Sequence, residues 1–317
     1  MRQLRPHVQI LMATHNAGPL LDTQLASLLS QSWTGWSLSA NDDGSHDNTL
    51  DKLQRFAAQS PNHVSKISSR TYSGTGMRRA ATNFFDLILE SATQPDSYVA
   101  LCDQDDHWHP GKLAAALAAL SNHQGPAAYA CALRPADKCL RATGPRRRFA
   151  LPPSFENALA QNVMSGNTIV LNPSALHVLR RLIPQAKQAG VYAHDWWIYL
   201  ALTGIGARVC LDQRVWIDYV QHDKNLMRGR NVYAGALRKA FLVLGGTYAH
   251  WSRANFEALK PDASHLTNDA RLALHKMTSA RTLSPLARMS RLRDLPAHRQ
   301  TWIGTAAHRT MFGLGLC

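Results

Sequence analysis

The residues best suited to chemistry are carboxylates grouped in turns. Asp103, Asp105 and Asp106 fall within four positions of Cys102-Asp103-Gln104-Asp105-Asp106-His107-Trp108. Like charges this close repel, and a cation held among them removes the repulsion. The other reading is a solvated acidic turn with one Asp capping the next helix. A second acidic turn, Asn41-Asp42-Asp43-Gly44-Ser45, reads either as a tight turn with Ser45 or Asp47 as helix cap, or as a carboxylate that accepts hydrogen bonds from a base or ribose. Asp195, in His194-Asp195-Trp196-Trp197, stands at a predicted helix start. It is either an N-cap or a partly desolvated carboxylate raised toward the range of a general base, beside indoles on which a ring can stack. His222 ends a predicted strand and offers an imidazole to a metal or phosphate, or is an ordinary satisfied histidine. Gly74-Thr75-Gly76-Met77-Arg78-Arg79 is neither a Walker loop nor a dinucleotide fingerprint. Glycines beside arginines ahead of a helix either cradle a diphosphate or form a surface loop.

These turns follow strands. Val8–Met12, Trp36–Ala40, Val64–Ile67 and Tyr98–Cys102 read as strands. Between them lie helices, with Leu20, Leu21, Leu25, Leu28 and Leu29 inward on the first, Leu50, Leu53 and Phe56 on the second, and Ala80, Phe84, Leu87 and Ile88 on the third. Pro19 and Pro110 are placed to open helices. The alternation predicts a doubly wound α/β sheet, which puts the polar turns on one edge. Further strands are expected at Ala127–Cys131, Thr168–Leu171, Arg208–Leu211 and Val215–Tyr219, with an irregular loop over 134–153. Helices are expected from Pro173 and from Ala193 through Leu202.

The chain has 317 residues, 45% hydrophobic and 18% charged, a globular composition. Its net charge is +14 and uneven: residues 1–225 hold 21 Lys/Arg against 17 Asp/Glu, and residues 226–317 hold 14 against 4. A basic tail predicts an anionic membrane surface as partner, ahead of a plain Arg-rich helical cap and of nucleic acid, which is not expected. Apolar stripes at Ala236, Leu237, Ala240, Phe241 and Leu244, and at Leu266, Ala270, Leu274 and Met277, suit docking on the core, or an interfacial membrane helix. The five Cys (102, 131, 139, 210, 317) follow no zinc spacing and read as reduced thiols of a cytoplasmic protein. No run approaches the roughly 18–20 apolar residues of a membrane span.

Five ordered segments resemble glycosyltransferase family 2, and within it the rhamnosyltransferase-type enzymes of bacterial polysaccharide assembly. They are Ala13–Asn16, Asn41–Thr49, Cys102–Leu113, His194–Trp197 and Tyr219–His222 with Asn225, and the likeness covers about residues 7–230. The resemblance implies a GT-A fold: a Rossmann-like, mostly parallel central sheet flanked by helices, here with a basic C-terminal helical extension. It divides the chain into a transferase domain over 1–228 (nucleotide-sugar half 7–122, acceptor half 123–228) and an extension over 229–317. It implies an inverting transfer from a nucleotide-sugar, dTDP-rhamnose by subfamily likeness or a UDP-sugar, to a saccharide or lipid-linked saccharide; the basic tail is expected to dock the enzyme on the inner face of the cytoplasmic membrane. Thr14, Asn16, Asp42 and Asp43 would line the nucleoside pocket, completed by Gly76, Arg79 and Asn83. Asp103 and Asp105 match the DxD pair that holds Mn2+ or Mg2+, with His222 as a helper; Gln104 and Trp196 join the donor-binding set. Ser165, Gly166 and Asn167 match a segment near donor sugar and acceptor, and Asp195 matches the catalytic base. The family carries an aromatic residue at His15, Arg at Val220 and Gly at Asp223; Arg78, Arg228 or Arg230 would replace the missing Arg. Two other readings stand beside this one: a nucleotidyltransferase that makes nucleotide-sugars, and a non-enzymatic polyanion-binding protein.

Overall fold

The computed structural model describes residues 6–91, 97–222 and 246–316. The expected alternation is present: β1 (His7–Thr14), α1 (Leu20–Leu29), β2 (Trp36–Asp42), α2 (Thr49–Gln59), β3 (Val64–Ser69), α3 (Gly76–Glu90) and β4 (Ser97–Cys102) follow in order. Val8 through Met12 are buried on both faces, as a central parallel strand requires. Then come β5 (His107–Trp108), α4 (Lys112–Leu120), β6 (Ala127–Ala136), α5 (Phe155–Ala160), β7 (Val170–Leu171), α6 (Pro173–Gln188), α7 (His194–Gly204) and β8 (Arg208–Val220).

The strand order is β3-β2-β1-β4-β7-β6-β8-β5. β1 runs parallel to β2 and β4, and β2 to β3. β6 and β8 are also parallel. The sheet is nevertheless mixed, because β7 joins β4 to β6 antiparallel to both and β5 is antiparallel to β8. The turns after β1, β2 and β4 therefore share one edge, where open α/β sheets bind ligands.

Alternate residues of β1 serve opposite faces. Val8, Ile10 and Met12 pack in one cluster with Leu21 of α1, Leu53 of α2 and Leu113 of α4, whereas Leu11 packs in the other with Phe84 of α3, Leu179 of α6 and Trp197 of α7. The chain continues as α8 (Thr247–Leu259), α9 (Asn268–Arg281), α10 (Pro285–Ser290) and α11 (Trp302–Gly313). Leu266, Ala270, Leu274 and Met277 are buried in the cluster that holds Trp197, so this stripe docks on the core. The stripe at Ala236, Leu237, Ala240, Phe241 and Leu244 lies outside the described residues, as do Asp223, Asn225, Arg228 and Arg230.

Local departures have physical causes. The two strands expected over 208–219 are one, because Asp212-Gln213-Arg214 forms a bulge: Cys131 pairs with Asp212 and Ala132 with Val215. The strand expected over Thr168–Leu171 is shorter, since residues 166–168 form a 3-10 turn. α4 starts at Lys112, two residues after Pro110. Leu29 is 50% exposed rather than inward. The short strand β5 and the helix α5 go beyond what the pattern predicted.

Candidate active site

The turns after β1 and β2 are knitted together. Thr14 Oγ1 donates to Asp42 Oδ1 at 2.9 Å, and the Ser45 amide and hydroxyl donate to the same carboxylate at 2.8 and 2.6 Å. Asn16 adopts φ 47°, a left-handed conformation Asn tolerates. Its amide donates to Ser45 Oγ, and its Oδ1 accepts from the His46 amide. Gly44 has φ 60°, and a Cβ there would sit 2.8 Å from Thr71 Oγ1, so the turn requires glycine. Asp43 accepts from the Tyr72 amide (2.8 Å) and pairs with Arg79 Nε (2.7 Å). Arg79 also reaches the Asp43 carbonyl and His15 Nδ1.

The acidic turn after β4 joins this assembly through Gln104, whose side-chain amide accepts from the His15 amide (2.7 Å) and donates to its carbonyl (3.1 Å). Behind the turn, Asp106 and Lys112 are fully buried. Asn167 Nδ2 donates to Asp106 Oδ2. Lys112 Nζ stands 3.0 Å from the Trp108 ring centroid, a cation–π contact that partly offsets the cost of burying the charge. Burial presses the Lys112 ammonium down to about 8, against nearby Cys131, Cys102, Asp106 and Asp103. Trp108 is fully buried beside it, a structural part of the turn.

α7 is apolar almost all round, from Trp196 through Leu202, and so runs through the core. This rigid helix presents Asp195 in its first turn, where the helix dipole favours a carboxylate. Asp195 Oδ1 accepts from the Trp196 amide (2.7 Å) and Oδ2 from the Gly166 amide (3.2 Å). A Cβ on Gly166 would lie 2.7 Å from His194 Nε2, so glycine lets the 165–167 segment close on α7. Arg147 donates to Ser165 Oγ and to the Asn162 carbonyl, both at 2.7 Å. Burial lowers the Arg147 pKa, and Asp195 opposes that shift.

The two acidic regions meet. The Asp103 carboxyl is pushed up to about 7, by burial first, then by the carboxylates of Asp105 and Asp195, with Lys112 opposing. Asp105 pairs with His222 Nε2 at 2.7 Å. Asp105 and Asp195 bring like charge to bear on Asp103, which a divalent cation would relieve, and behind them Asp106 Oδ1 and Asn167 Oδ1 are sealed without hydrogen-bond partners. Oxygen donors with one imidazole suit Mg2+ or Mn2+. Separately, His107, His109 and Asp218 place one donor atom each within 4.8 Å of one another.

A pH dependence follows. An unfolded Asp ionises near ~4, so in cation-free protein the folded state keeps a proton on Asp103 between there and about 7 that the unfolded chain has lost. This contribution to stability is present at low pH and declines as pH rises through that window. Binding of a cation must displace the same proton. In thermal melts of chelated protein, added Mn2+ is expected to raise Tm more at about pH 8 than at about pH 6, with apparent affinity falling about tenfold per pH unit on acidification. Equal shifts at both pH values would remove Asp103 from the cation site.

Of the residues singled out in the sequence, the structure brings together Thr14, Asn16, Asp42, Asp43, Arg79 and Gln104 in one knot, and Asp103, Asp105, His222, Ser165, Gly166, Asn167 and Asp195 around the facing carboxylates. Gly76 opens α3. Two corrections follow from burial. Asn83 is 1% exposed and spends its amide on Asn41, donating to the backbone carbonyl and accepting from the side chain, so it braces β2 rather than facing a nucleoside. Trp196 is 4% exposed, its indole N–H donates to the Ala158 carbonyl and its ring lies against Tyr248, so it offers no open stacking platform. Lys112 and Arg147 are additions. Lys112 sits in the resemblance motif, whereas Arg147 was signalled only by the run Arg146-Arg147-Arg148.

Residues 9–182 match the family model described as glycosyl transferase family 2. The chain is 26% identical over 242 residues, 75% of its length and 80% of the relative's, to "dTDP-rhamnosyl transferase RfbG" of Shigella flexneri. It is 28% identical over 107 residues, 33% of its length and 38% of the relative's, to the "UDP-Glc:alpha-D-GlcNAc-diphosphoundecaprenol beta-1,3-glucosyltransferase WfgD" of Escherichia coli. Among solved structures, S. aureus TarS 1-349 in complex with UDP-GlcNAc superposes with TM-score 0.53 at 14% identity, covering 98% of this chain and 89% of that one. The mannosyltransferase PcManGT from Pyrobaculum calidifontis, in complex with GDP-Man and Mn2+, gives TM-score 0.51 at 18% identity, covering 97% and 88%. These structural likenesses establish the shared fold.

Proposed function

Because the chain belongs to glycosyl transferase family 2 and has the GT-A fold, we propose that it transfers a sugar, with inversion, to a saccharide or lipid-linked saccharide in cell-surface polysaccharide assembly. The donor of choice is dTDP-rhamnose, supported by the likeness to the Shigella flexneri rhamnosyl transferase over three quarters of the chain; a UDP-sugar is the alternative. Family membership displaces the nucleotidyltransferase and non-enzymatic readings. The transferase domain is assigned to residues 1–228 and the extension to residues 229–317.

The observation that supports the mechanism is that Asp195, at the start of α7, lies close enough to Asp103 for its carboxylate to raise the Asp103 carboxyl, as that of Asp105 does. Inversion needs a base on the acceptor hydroxyl and positive charge at the departing diphosphate. Asp195 takes the acceptor proton as the acceptor oxygen forms its bond to the anomeric carbon. The bond from that carbon to the diphosphate oxygen breaks on the opposite face, and its electron pair leaves with the diphosphate. A divalent ion held by Asp103 and Asp105, with His222 beside Asp105, would supply the positive charge there. The Gly166 amide and the helix terminus hold Asp195 in place. Arg147 fixes the Ser165 segment next to it. Asn16, Gly76 and Arg79 form the accessible part of the frame assigned to the nucleoside, braced from behind by Thr14, Asp42 and Asp43, which are buried as Asn83 is, with Gln104 tying it to the acidic turn.

A thermal-shift panel tests the donor assignment. dTDP-rhamnose with Mn2+ is expected to raise Tm more than UDP- or GDP-sugars; a ligand at ~100-fold its Kd adds about 2.7 kcal/mol. If no nucleotide-sugar moves Tm, the reading fails.

The acceptor side points to an anionic membrane surface on the cytoplasmic face. No helix among the described residues is long and apolar enough to cross a bilayer. α11 instead exposes Trp302 (80%), Ile303 (63%) and, just past its end, Leu314 (58%). Ala306, Ala307 and Thr310 are exposed on the same helix and carry no charge, and Arg291 and Arg293 are exposed nearby in sequence. An apolar face with basic neighbours suits anionic headgroups. Trp302→Asp with Ile303→Asp is expected to weaken sedimentation with phosphatidylglycerol vesicles at least ~10-fold, since each buried large side chain contributes ~1.5–3 kcal/mol. Unchanged partitioning would remove α11 from the membrane.

A further inference from the structure

His107 and His109 are two residues apart on β5 and its continuation, where the His109 amide donates to the Trp216 carbonyl at 2.9 Å. Side chains alternate along a strand, so both imidazoles fall on one face while Trp108 fills the core on the other. Asp218 is the register partner of His107 on β8. Asp218 Oδ2 lies 2.8 Å from His109 Nε2 and 3.8 Å from His107 Nδ1. His107 Nδ1 is sealed from solvent without a hydrogen bond. The Asp218 carboxylate is oriented from behind: Arg134 holds Oδ1 through Nε at 2.7 Å and Nη2 at 2.6 Å, leaving Oδ2 to the histidines. Oδ2 accepts a hydrogen bond from His109 Nε2, whose proton a cation would replace, and Arg134 on Oδ1 is the kind of outer hydrogen bond that orients a ligating carboxylate.

We infer that His107, His109 and Asp218 form a second cation site, separate from the Asp103–Asp105 pair, that takes a zinc-class ion. Two nitrogens and one carboxylate oxygen are a tetrahedral zinc set with a fourth position for water. The oxygen-dominated Asp103–Asp105 set selects instead for magnesium or manganese. The site fastens β5, which follows the acidic turn, to β8, which ends beside His222, the partner of Asp105. A zinc-class ion here is a clip that positions the acidic turn and takes no part in the transfer.

The test uses the untagged full chain, stripped with a chelator and titrated with Co2+, whose tetrahedral complexes absorb far more strongly than octahedral ones. One equivalent is expected to give the intense tetrahedral spectrum, displaced by Zn2+. The spectrum persists in Asp103→Asn/Asp105→Asn and is lost in His107→Gln/His109→Gln, with circular dichroism confirming that both variants fold. A wild-type spectrum of octahedral intensity overturns the site without recourse to any variant. Retention of the tetrahedral spectrum in the double histidine variant overturns it equally. Nucleotide-sugar binding plays no part in this readout, so the site stands or falls apart from the donor assignment.

Discussion

Asp195→Asn is expected to lower sugar transfer by about 10²–10⁴-fold, the usual contribution of a positioned general base, while donor binding stays near wild type. Asn is isosteric but keeps only one of the two oxygens, which now accept separately from the Trp196 amide (2.7 Å) and the Gly166 amide (3.2 Å); with its oxygen toward Trp196, the longer Gly166 contact is given up. Arg147 still anchors the 165–167 segment through Ser165 and the Asn162 carbonyl, so the segment should hold its place and the proton acceptor is the main loss. The change also relieves Asp103 of one of the carboxylates that raise it, so the Asp103 proton leaves at lower pH and cation binding tightens slightly. Lost transfer with preserved or improved Mn2+-supported donor binding is the signature of a base. Loss of both together would mean that Asp195 holds the site's shape instead.

Asp105→Asn should act in the opposite sense on binding. It removes a charge from the proposed cation set and the partner of His222, which stands 2.7 Å away. Charge stabilisation by a metal is worth several kcal/mol, so at ~1.4 kcal/mol per tenfold the loss of transfer is on the order of 10²–10³. The Mn2+-dependent rise in Tm should shrink with it. His222→Gln leaves both carboxylates and should retain more of the cation response than Asp105→Asn. The reverse ranking, measured in melts with and without Mn2+, would make His222 the principal ligand.

The parts of this site that could be read from the sequence share a cause. β1 and β4 carry apolar runs and β2 an apolar–polar alternation, Trp36-Ser37-Leu38-Ser39-Ala40, and each ends in a turn whose residues have few structural uses for so many polar atoms. Parallel pairing then puts those turns on one edge, so Asp42, Asp103 and their neighbours converge without any knowledge of side-chain packing. Asp195 was legible for a related reason, being an acid beside an aromatic pair at a helix start. What the pattern hid depends on three-dimensional packing. Asn83 and Trp196 look available in the sequence, yet each is consumed by the interior. Nothing in the sequence pattern singles out Lys112, yet it is fully buried against Trp108. Arg147 lies in a segment with no periodicity, and only the fold brings it to Ser165. The two-residue strand β5 is too short for any period to register, although it sets the geometry of His107 and Asp218.

We propose that the acidic turn after β4 holds the cation through which the donor diphosphate binds, beside Asp195. Calorimetric titration of dTDP into chelated protein, with and without Mn2+, tests it without any knowledge of the acceptor. Binding at least ~10-fold tighter with Mn2+, more than ~1.4 kcal/mol, is expected, with loss of that gain in Asp105→Asn. Equal affinity with and without Mn2+ in the wild-type protein would contradict it.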